Sequence, residues 1–228
     1  MLFSFTFNPY IAIIGDIKDS RKIPDRKGVQ ETLAKALKEI NRKYAKSIAS
    51  KFTITLGDEF QGLLYDGQHV MDIQQEIEQK MYPVAIRFGI GIGEIFTDIN
   101  HKLAIGADGP GYYMARKAIE YLKQNEKKKQ SVEADIRIEI DGDGEIASDM
   151  VNTILSLMTA VKLSWRERQR QVIWEMLSSG DSQANVAEKL GIMQSSVQKS
   201  LVSGKYYTYK EALFRIKGVL AEIRREKT

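Results

Sequence analysis

Hydrophobic and polar residues alternate most clearly from Lys51 to Leu64, a segment with the sequence KFTITLGDEFQGLL. Apolar residues recur at every second position before the glycine, and a second apolar run follows the acidic pair, as in two β-strands. Gly57 suits a tight turn because glycine accepts a positive φ, and the carboxylate of Asp58 can bond nearby backbone. The pattern predicts a β-hairpin with Asp58 and Glu59 at its tip.

Similar patterns predict further elements along the first two thirds of the chain. They are a strand at Tyr10–Asp16, a helix at Pro24–Tyr44, a helix at Val70–Lys80, a strand at Val84–Ile95, a short strand and loop at Leu103–Gly111, a helix at Tyr112–Lys123 and a strand at Ala134–Ile140. The charged run from Glu126 to Gln130 is interpreted as a solvated helix end or loop. This order predicts an α+β fold with a mainly antiparallel sheet and helices on one face.

Two features of this part of the chain stand out. The strand after Pro83 has glycines at alternate positions, Gly89, Gly91 and Gly93, and glycine weakens a strand unless something packs very close to it. The first strand ends in Gly15-Asp16, just as the hairpin strand ends in Gly57-Asp58. Two neighbouring strands that each deliver an aspartate would place carboxylates close together, and Mg²⁺ is commonly held by one or two carboxylates plus phosphates.

A connecting helix is predicted from Glu145 to Val161. Its apolar residues recur at spacings of three and four, at Ile146, Met150, Ile154, Leu157 or Met158, and Val161. This stripe can pack on its own domain, or pair with the same helix of a second subunit as a short coiled coil.

The C-terminal segment has the pattern of a small helical unit. Ser164 with Glu167 three residues later is typical of a capping box for a helix that stops at Gly180. A short helix, a turn at Gly191 and a second helix follow, before a last amphipathic helix at Tyr209–Arg225. The inward positions are apolar: Ala187, Leu190, Ile192, Val197 and Leu201. The second helix then presents polar side chains suited to base edges and phosphates: Gln194, Ser195, Ser196, Gln198 and Lys199.

Composition narrows the chemistry. The 228 residues contain no cysteine and only two histidines, which disfavours disulfides, zinc sites and Ser-His-Asp catalysis. No apolar run approaches the roughly 20 residues of a membrane span, so we expect a cytoplasmic protein without membrane insertion. From Ser164 onward, 12 Lys/Arg face 7 Asp/Glu, so the positive charge lies at the C-terminal end and is compatible with a nucleic-acid partner.

Several motifs resemble those of class III nucleotidyl cyclases. IAIIGDIKDSR resembles their first metal-binding strand, and LGDEFQGLL resembles their second metal-binding hairpin and the GGDEF hairpin of diguanylate cyclases. RFGIGIGEI resembles their glycine-rich strand, and GYYMARKA resembles the start of their catalytic helix. The resemblance implies a nucleotidyl-cyclase-like, ferredoxin-like fold across roughly residues 9 to 122.

The resemblance also implies roles for particular residues. Asp16 and Asp58 would bind Mg²⁺ or Mn²⁺ together with the carbonyl of Ile17, and Arg116 would face the phosphates as the catalytic arginine. The loop residues Asp19, Ser20 and Arg21 would lie next to the nucleotide, where backbone N–H groups favour anions. Two positions depart from the cyclase pattern: Tyr112 replaces an asparagine, and Ile54 replaces a base-reading lysine or glutamate. These departures weaken the case for cyclisation but not for binding a metal and a triphosphate.

Along its whole length the chain resembles the SatD family, and its C-terminal part resembles sigma-factor-like helix-turn-helix domains. We expect a cyclase-like domain at 1–144, a linking helix at 145–163 and a DNA-binding domain at 164–228. The favoured function is a homodimeric transcriptional regulator that binds double-stranded DNA and senses a nucleoside triphosphate with Mg²⁺. The alternative is an active metal-dependent nucleotidyl cyclase or nucleotidyltransferase with a helical regulatory domain.

Overall fold

The computed structural model describes residue 3 and residues 5–128, 133–142 and 144–225. Its strands are β1 (Tyr10–Ile17), β2 (Ile48–Ile54), β3 (Glu59–Leu64), β4 (Ile86–Gly93) and β5 (Ile136–Ile140). Its helices are α1 (Arg26–Lys43), α2 (Val70–Met81), α3 (Pro110–Glu126), α4 (Glu145–Leu163), α5 (Glu167–Ser179), α6 (Gln183–Lys189), α7 (Gln194–Ser203) and α8 (Tyr206–Ala221), with a 3₁₀ turn at Ser20–Lys22.

The five strands form one sheet in the order β2-β3-β1-β4-β5. β1 lies between β3 and β4 and is antiparallel to both, and β2 is antiparallel to β3. The first six elements therefore have the βαββαβ arrangement of ferredoxin-like folds. β5 is added parallel to β4 at one edge. The predicted α+β class and mainly antiparallel sheet are confirmed.

Helices cover both faces of this sheet, so the prediction of helices on one face is wrong. The face formed by Ile11 and Ile13 packs against α1, α2 and α4, whereas Ala12 and Ile14 pack against α3. The physical reason is the parallel pairing of β5, because a parallel strand needs a crossover connection, and α3 supplies it. The alternating glycines of β4 lie under α3, as predicted for a close neighbour. A Cβ atom at Gly91 would lie 2.0 Å from the carbonyl oxygen of Gly111.

The predicted hairpin is present, with Gly57 at φ 63° in its turn. The short strand predicted within Leu103–Gly111 is absent, because this segment is held by a side chain and not by a strand ladder: Gln61 Nε2 donates to the carbonyl of Ala104. The outer edge of β2 is also closed to another strand at Phe52. There the amide of Asn41 donates to the Phe52 carbonyl at 2.9 Å and accepts from its N–H at 2.8 Å.

The C-terminal helices pack directly on the α/β part. α8 contacts α2 and α4, and the Gly67 N–H donates to the carbonyl of Ile223 at 3.0 Å. The Trp165 indole N–H donates to the carbonyl of Gly204 at 2.7 Å, which ties the start of this unit to the end of α7. Buried residues of both parts form one continuous apolar cluster. The division into domains at 1–144, 145–163 and 164–228 remains a prediction.

The start of α5 differs from the predicted capping box. Helix α5 begins at Glu167, and the side chain of Gln169 accepts from the N–H of Arg166 at 2.9 Å. Ser164 instead ends α4, where its hydroxyl donates to the carbonyl of Val161 at 2.6 Å. The cap thus lies two residues later than the sequence pattern indicates.

Helix α4 buries only part of the predicted apolar stripe. Met158 is buried, and Ile154 and Val161 pack against the core, but Ile146, Met150 and Leu157 are exposed. Val151 and Leu155, which the stripe does not include, are buried. Within the described residues, α4 is the single helix whose length and composition would allow a membrane span, with mean hydropathy 1.2 over Ile146–Leu163. It is packed against β5 and α8 and also buries polar groups on that side, so this resemblance to a span is weak.

Candidate functional site

Two buried carboxylates lie side by side where β1 meets β3. Asp16 is the direct cross-strand partner of Glu59, and each residue is only 5% exposed. Both residues belong to the sheet face that α3 covers, because Asp16 is in phase with Ala12 and Ile14. The sequence led us to expect Asp58 as the neighbour of Asp16, but the strand register brings the carboxylate of Glu59 there.

The carboxylate of Glu59 is held by Arg116 of α3. Arg116 Nη2 lies 2.7 Å from Glu59 Oε1, and Nη1 lies 2.5 Å from Oε2, so the guanidinium makes a two-pronged contact. The hydrogen bonds to Glu59, opposed by burial, raise the pKa of Arg116 above its ordinary value. The structure therefore brings the predicted phosphate-facing arginine to the predicted strand edge. Here it neutralises an acid.

Asp16 is neutralised by two basic residues that the sequence analysis did not single out. Arg87 Nη1 lies 2.6 Å from Asp16 Oδ2, and Lys123 Nζ lies 2.7 Å from Oδ1. Both could have been found from their spacing. Arg87 is in phase with the alternating glycines of β4, and Lys123 lies two helical turns after Arg116, on the same face of α3.

Asp58 lies beside these carboxylates in the chain but has its own contacts. Its carboxylate accepts a short hydrogen bond from the hydroxyl of Ser20, and its carbonyl accepts from the N–H of Ile17 at 3.0 Å. The structure thus joins Asp58, Ile17 and Ser20. Asp19 and Arg21 are exposed, and Asp19 Oδ1 pairs with Lys22 Nζ at 3.0 Å.

Few protein groups near this strand edge could bind a metal ion. In the described ranges no set of three or more Asp, Glu, His or Cys side chains surrounds a common centre. Two carboxylates and a carbonyl nevertheless match what Mg²⁺ takes from a protein when phosphates and water complete its shell. Lys123 is 41% exposed at its side chain, so it can leave Asp16 without leaving a buried ammonium behind. Asp16, Asp58 and the Ile17 carbonyl are the kinds of oxygen donor that such an ion takes, and their role as metal ligands remains a prediction.

The second group of candidate residues lies on α7. Gln194, Ser195, Gln198 and Lys199 are exposed, and Ser196 is partly buried. Gln198 Oε1 accepts from Gln183 Nε2 at 2.6 Å and from the hydroxyl of Tyr207 at 3.3 Å. The surface of α7 is thus polar, and Gln198 is held in place by its neighbours.

The family profile described as the SatD family matches residues 10–215. The chain belongs to the SatD family. The match includes both the strand-edge residues and α7. Among curated proteins, none matches this SatD-family chain.

Three solved structures illustrate what the fold is similar to. The catalytic core of a rhodopsin-guanylyl cyclase with converted specificity, in complex with ATPαS, is 14% identical; 48% of this chain and 71% of that one are covered, with a TM-score of 0.36. The dimeric guanylyl cyclase domain of the RhoGC fusion protein from Blastocladiella emersonii is 17% identical, with 48% and 72% covered and a TM-score of 0.36. A regulator of polyketide synthase expression from Bifidobacterium adolescentis is 10% identical, with 94% and 86% covered and a TM-score of 0.29. Scores and identities at this level establish no activity for this chain.

Proposed function

We propose that this protein is a DNA-binding transcriptional regulator whose α/β part senses a nucleoside triphosphate with Mg²⁺ or Mn²⁺. The observation that supports the proposal is the outward placement of α7, which we take as the second helix of a helix-turn-helix pair. Val197 and Leu201 of α7 are fully buried, while the face with Gln194, Gln198 and Lys199 is exposed. A helix presented in this way can enter a major groove.

The turn between α6 and α7 supports this proposal. Gly191 has φ 62°, a conformation that glycine adopts without strain, and the Ile192 N–H donates to the Ala187 carbonyl at 2.9 Å. Val186 and Ala187 of α6 are buried with the inner face of α7. The two helices are therefore packed together through buried side chains and a backbone hydrogen bond across the turn.

The side chains on α7 divide into two kinds of contact. Gln198 can form a bidentate pair with adenine once it releases its hydrogen bonds with Gln183 and Tyr207. Lys199 is a flexible cation that suits phosphate, and the excess of basic residues after Ser164 would add to the salt dependence of binding.

In the α/β part, Asp16, Asp58 and the carbonyl of Ile17 would hold the metal ion. When bound, the ion would neutralise and orient the phosphates. Arg116 and Lys123 are both about two-fifths exposed at their side chains, so each could exchange its carboxylate for a phosphate oxygen. Ser20 holds the carboxylate of Asp58 in place.

Sensing is favoured over cyclisation by the position of Tyr112. Its side chain packs among Ala12, Ile14 and Leu63, and burial raises its pKa above the ordinary value. Its hydroxyl has no hydrogen-bond partner in the part of the chain that the structure describes. A tyrosine enclosed in this way cannot take the role that the asparagine has in the cyclase pattern. The alternative is an active nucleotidyl cyclase or nucleotidyltransferase. Unlike the sensor, it would convert the triphosphate into a product.

DNA recognition is tested by binding-site selection on random duplexes, with and without triphosphate and Mg²⁺. Gln198→Ala should cost about 1–3 kcal/mol of discrimination at one base position. Lys199→Ala should weaken binding to all DNA sequences alike and lower the slope of log affinity against log salt concentration by about one. Lys27→Ala on α1 should change neither quantity. If no sequence is enriched and no duplex is retained at low salt, α7 has another role and the enzyme alternative becomes the better one.

Nucleotide binding is tested by retention of radiolabelled triphosphates, with product scored in the same reaction. Asp16→Ala and Asp58→Ala should each remove Mg²⁺-dependent retention, and Glu31→Ala, an exposed acid on α1, should not. Retention by both variants at the parent level would show that the metal site is misassigned. Steady product formation would replace the sensor by the enzyme alternative.

We also expect a homodimer, because DNA half-sites are commonly read by dimers. Light scattering at tens of micromolar decides this, and a monomer mass with and without nucleotide would contradict it.

A further inference from the structure

Eight charged side chains of alternating sign form one continuous chain of ion pairs across the α/β part. In order of contact they are Lys123, Asp16, Arg87, Glu126, Lys18, Asp135, Lys162 and Glu78. Glu126 Oε1 lies 2.7 Å from Lys18 Nζ, which lies 2.6 Å from Asp135 Oδ1; Asp135 Oδ2 lies 3.1 Å from Lys162 Nζ. Glu126 thus belongs to this chain although it is exposed at the end of α3, as its charged surroundings predict, while Lys129 and Gln130 of that run lie outside the described residues.

The two ends of this chain lie in different surroundings. Near one end is Asp16, the proposed metal ligand. Near the other end is Lys162, in the last turn of α4, which precedes the helices α5 to α8. Between them the contacts pass through β4, α3, the residue before β5 and the loop after β1. The chain of ion pairs therefore connects the proposed sensor site to the base of the C-terminal helices.

A change in the charges along this chain of ion pairs would act on Lys162. It is 4% exposed, and burial would lower its pKa, but the charges of Glu78 and Asp135 raise the pKa above its ordinary value. The charged ammonium therefore depends on both carboxylates, because a buried charge that loses a partner is costly. The Lys162 carbonyl also accepts from Arg170 Nη2 of α5 at 3.1 Å. On the other side, α8 packs against α4, and its Tyr209 is buried.

We infer that the charge at Asp16 regulates how tightly the C-terminal helices pack, through the competition of Lys18 and Lys162 for Asp135; as a regulatory mechanism this rests on the proposed function. A cation at Asp16 frees Arg87 to pair only with Glu126. Glu126 then holds Lys18 less, and Lys18 turns to Asp135. Asp135 then shares less of its charge with Lys162, so the packing of α8 against α4 weakens.

Glu59 provides a matched control for Asp16. The two residues are cross-strand partners with equal exposure, and each is neutralised by basic side chains. Glu59 pairs with Arg116, which has no place in the chain of eight. Neutralising Glu59 therefore disturbs the same strand edge without removing a member of the chain of eight.

The test is hydrogen exchange followed by mass spectrometry on the full chain without ligand, with the amides of α8 compared with those of α1. Asp16→Asn should speed exchange in α8 relative to α1 by about fivefold or more, and Glu59→Gln should leave the ratio unchanged. Glu126→Gln, at a less buried position, should act in the same direction as Asp16→Asn. It keeps the test decisive if the Asp16 variant does not fold.

The direction in which a third variant changes exchange in α8 separates this mechanism from general destabilisation. Lys18→Met removes the ion pair between Lys18 and Asp135, so Asp135 then pairs with Lys162 alone. Exchange in α8 should therefore slow relative to α1. In that background Asp16→Asn should have no further effect on α8. Acceleration of α8 by Lys18→Met, or equal acceleration by Asp16→Asn and Glu59→Gln, would overturn the inference. Because no nucleotide is added, a failure of nucleotide binding would refute the proposed sensor and leave this result standing.

Discussion

The two faces of the central sheet are built in different ways. Toward α1 and α2 the sheet presents large side chains, including Ile13, Phe60 and Phe88, all of them fully buried. Toward α3 it presents Ala12 and the glycines of β4, so that the helix backbone lies directly on the sheet. The first face is filled by side-chain volume and the second by close approach of two backbones.

This difference explains how basic residues of α3 reach the carboxylates of the sheet. A helix that rests on glycine lies closer to the sheet than one that rests on isoleucine and phenylalanine. Arg116 and Lys123 of α3 can therefore reach Glu59 and Asp16 directly. The close approach of α3 thus positions the candidate site, and the wide apolar face supplies burial.

The largest effect is expected from adding one methyl group under α3. In Gly91→Ala, the new Cβ atom would lie 2.0 Å from the Gly111 carbonyl oxygen and 2.2 Å from the Ala115 nitrogen. Both are backbone atoms, so the whole helix must move, and we expect a loss of about 3 kcal/mol or more. Urea unfolding followed by circular dichroism measures it.

Gly218→Ala is the control for this variant. Gly218 lies in α8 with no atom within 4 Å of its added Cβ, so the substitution should stabilise by up to about 1 kcal/mol through helix propensity. A loss at Gly91 no larger than the change at Gly218 would contradict the close-approach account of the α3 face.

A smaller loss is expected from the same substitution on the opposite face. In Gly62→Ala the new Cβ atom would lie 2.5 Å from the ring of Phe52, with ring atoms as its three nearest neighbours. A ring on the neighbouring strand can shift more easily than a helix backbone, and alanine suits a strand better than glycine does. We expect a loss of about 1 kcal/mol in the same urea assay. A loss equal to that of Gly91→Ala would remove the distinction between the faces.

Much of the fold follows from local patterns because each pattern agrees with the final packing. The alternation around Gly57 predicts the hairpin, and the glycines of β4 predict a close neighbour. The strand predicted at Leu103–Gly111 is absent because Leu103 and Ile105 are exposed and the side chain of Gln61 holds the segment, which periodicity does not distinguish from strand pairing. The predicted stripe of α4 is buried only in part, because Asn152, Thr159 and Lys162 take buried positions through hydrogen bonds and ion pairs.

The candidate site could be predicted only in part, because cross-strand register decides it. The motifs select Asp16 and Arg116, but the neighbour of Asp16 depends on which residue of β3 lies opposite, and that is Glu59. Arg87 and Lys123 carry spacing signals but no motif. The metal-binding and DNA-binding roles of the predicted residues remain predictions.

The smallest effect is expected at the charged end of the α3 face. Arg116→Lys keeps the positive charge beside Glu59 but loses the two-pronged contact of the guanidinium. Since the Arg116 side chain is 42% exposed, solvent screens the pair, and we expect a loss of about 0.5 kcal/mol in the urea assay. Arg116→Met should cost more, because it leaves the buried Glu59 without its cation. Equal losses for the two variants would mean that the geometry of the guanidinium, not its charge, holds Glu59 in place. The α3 face would then depend on shape at its charged end as much as it does at its glycines.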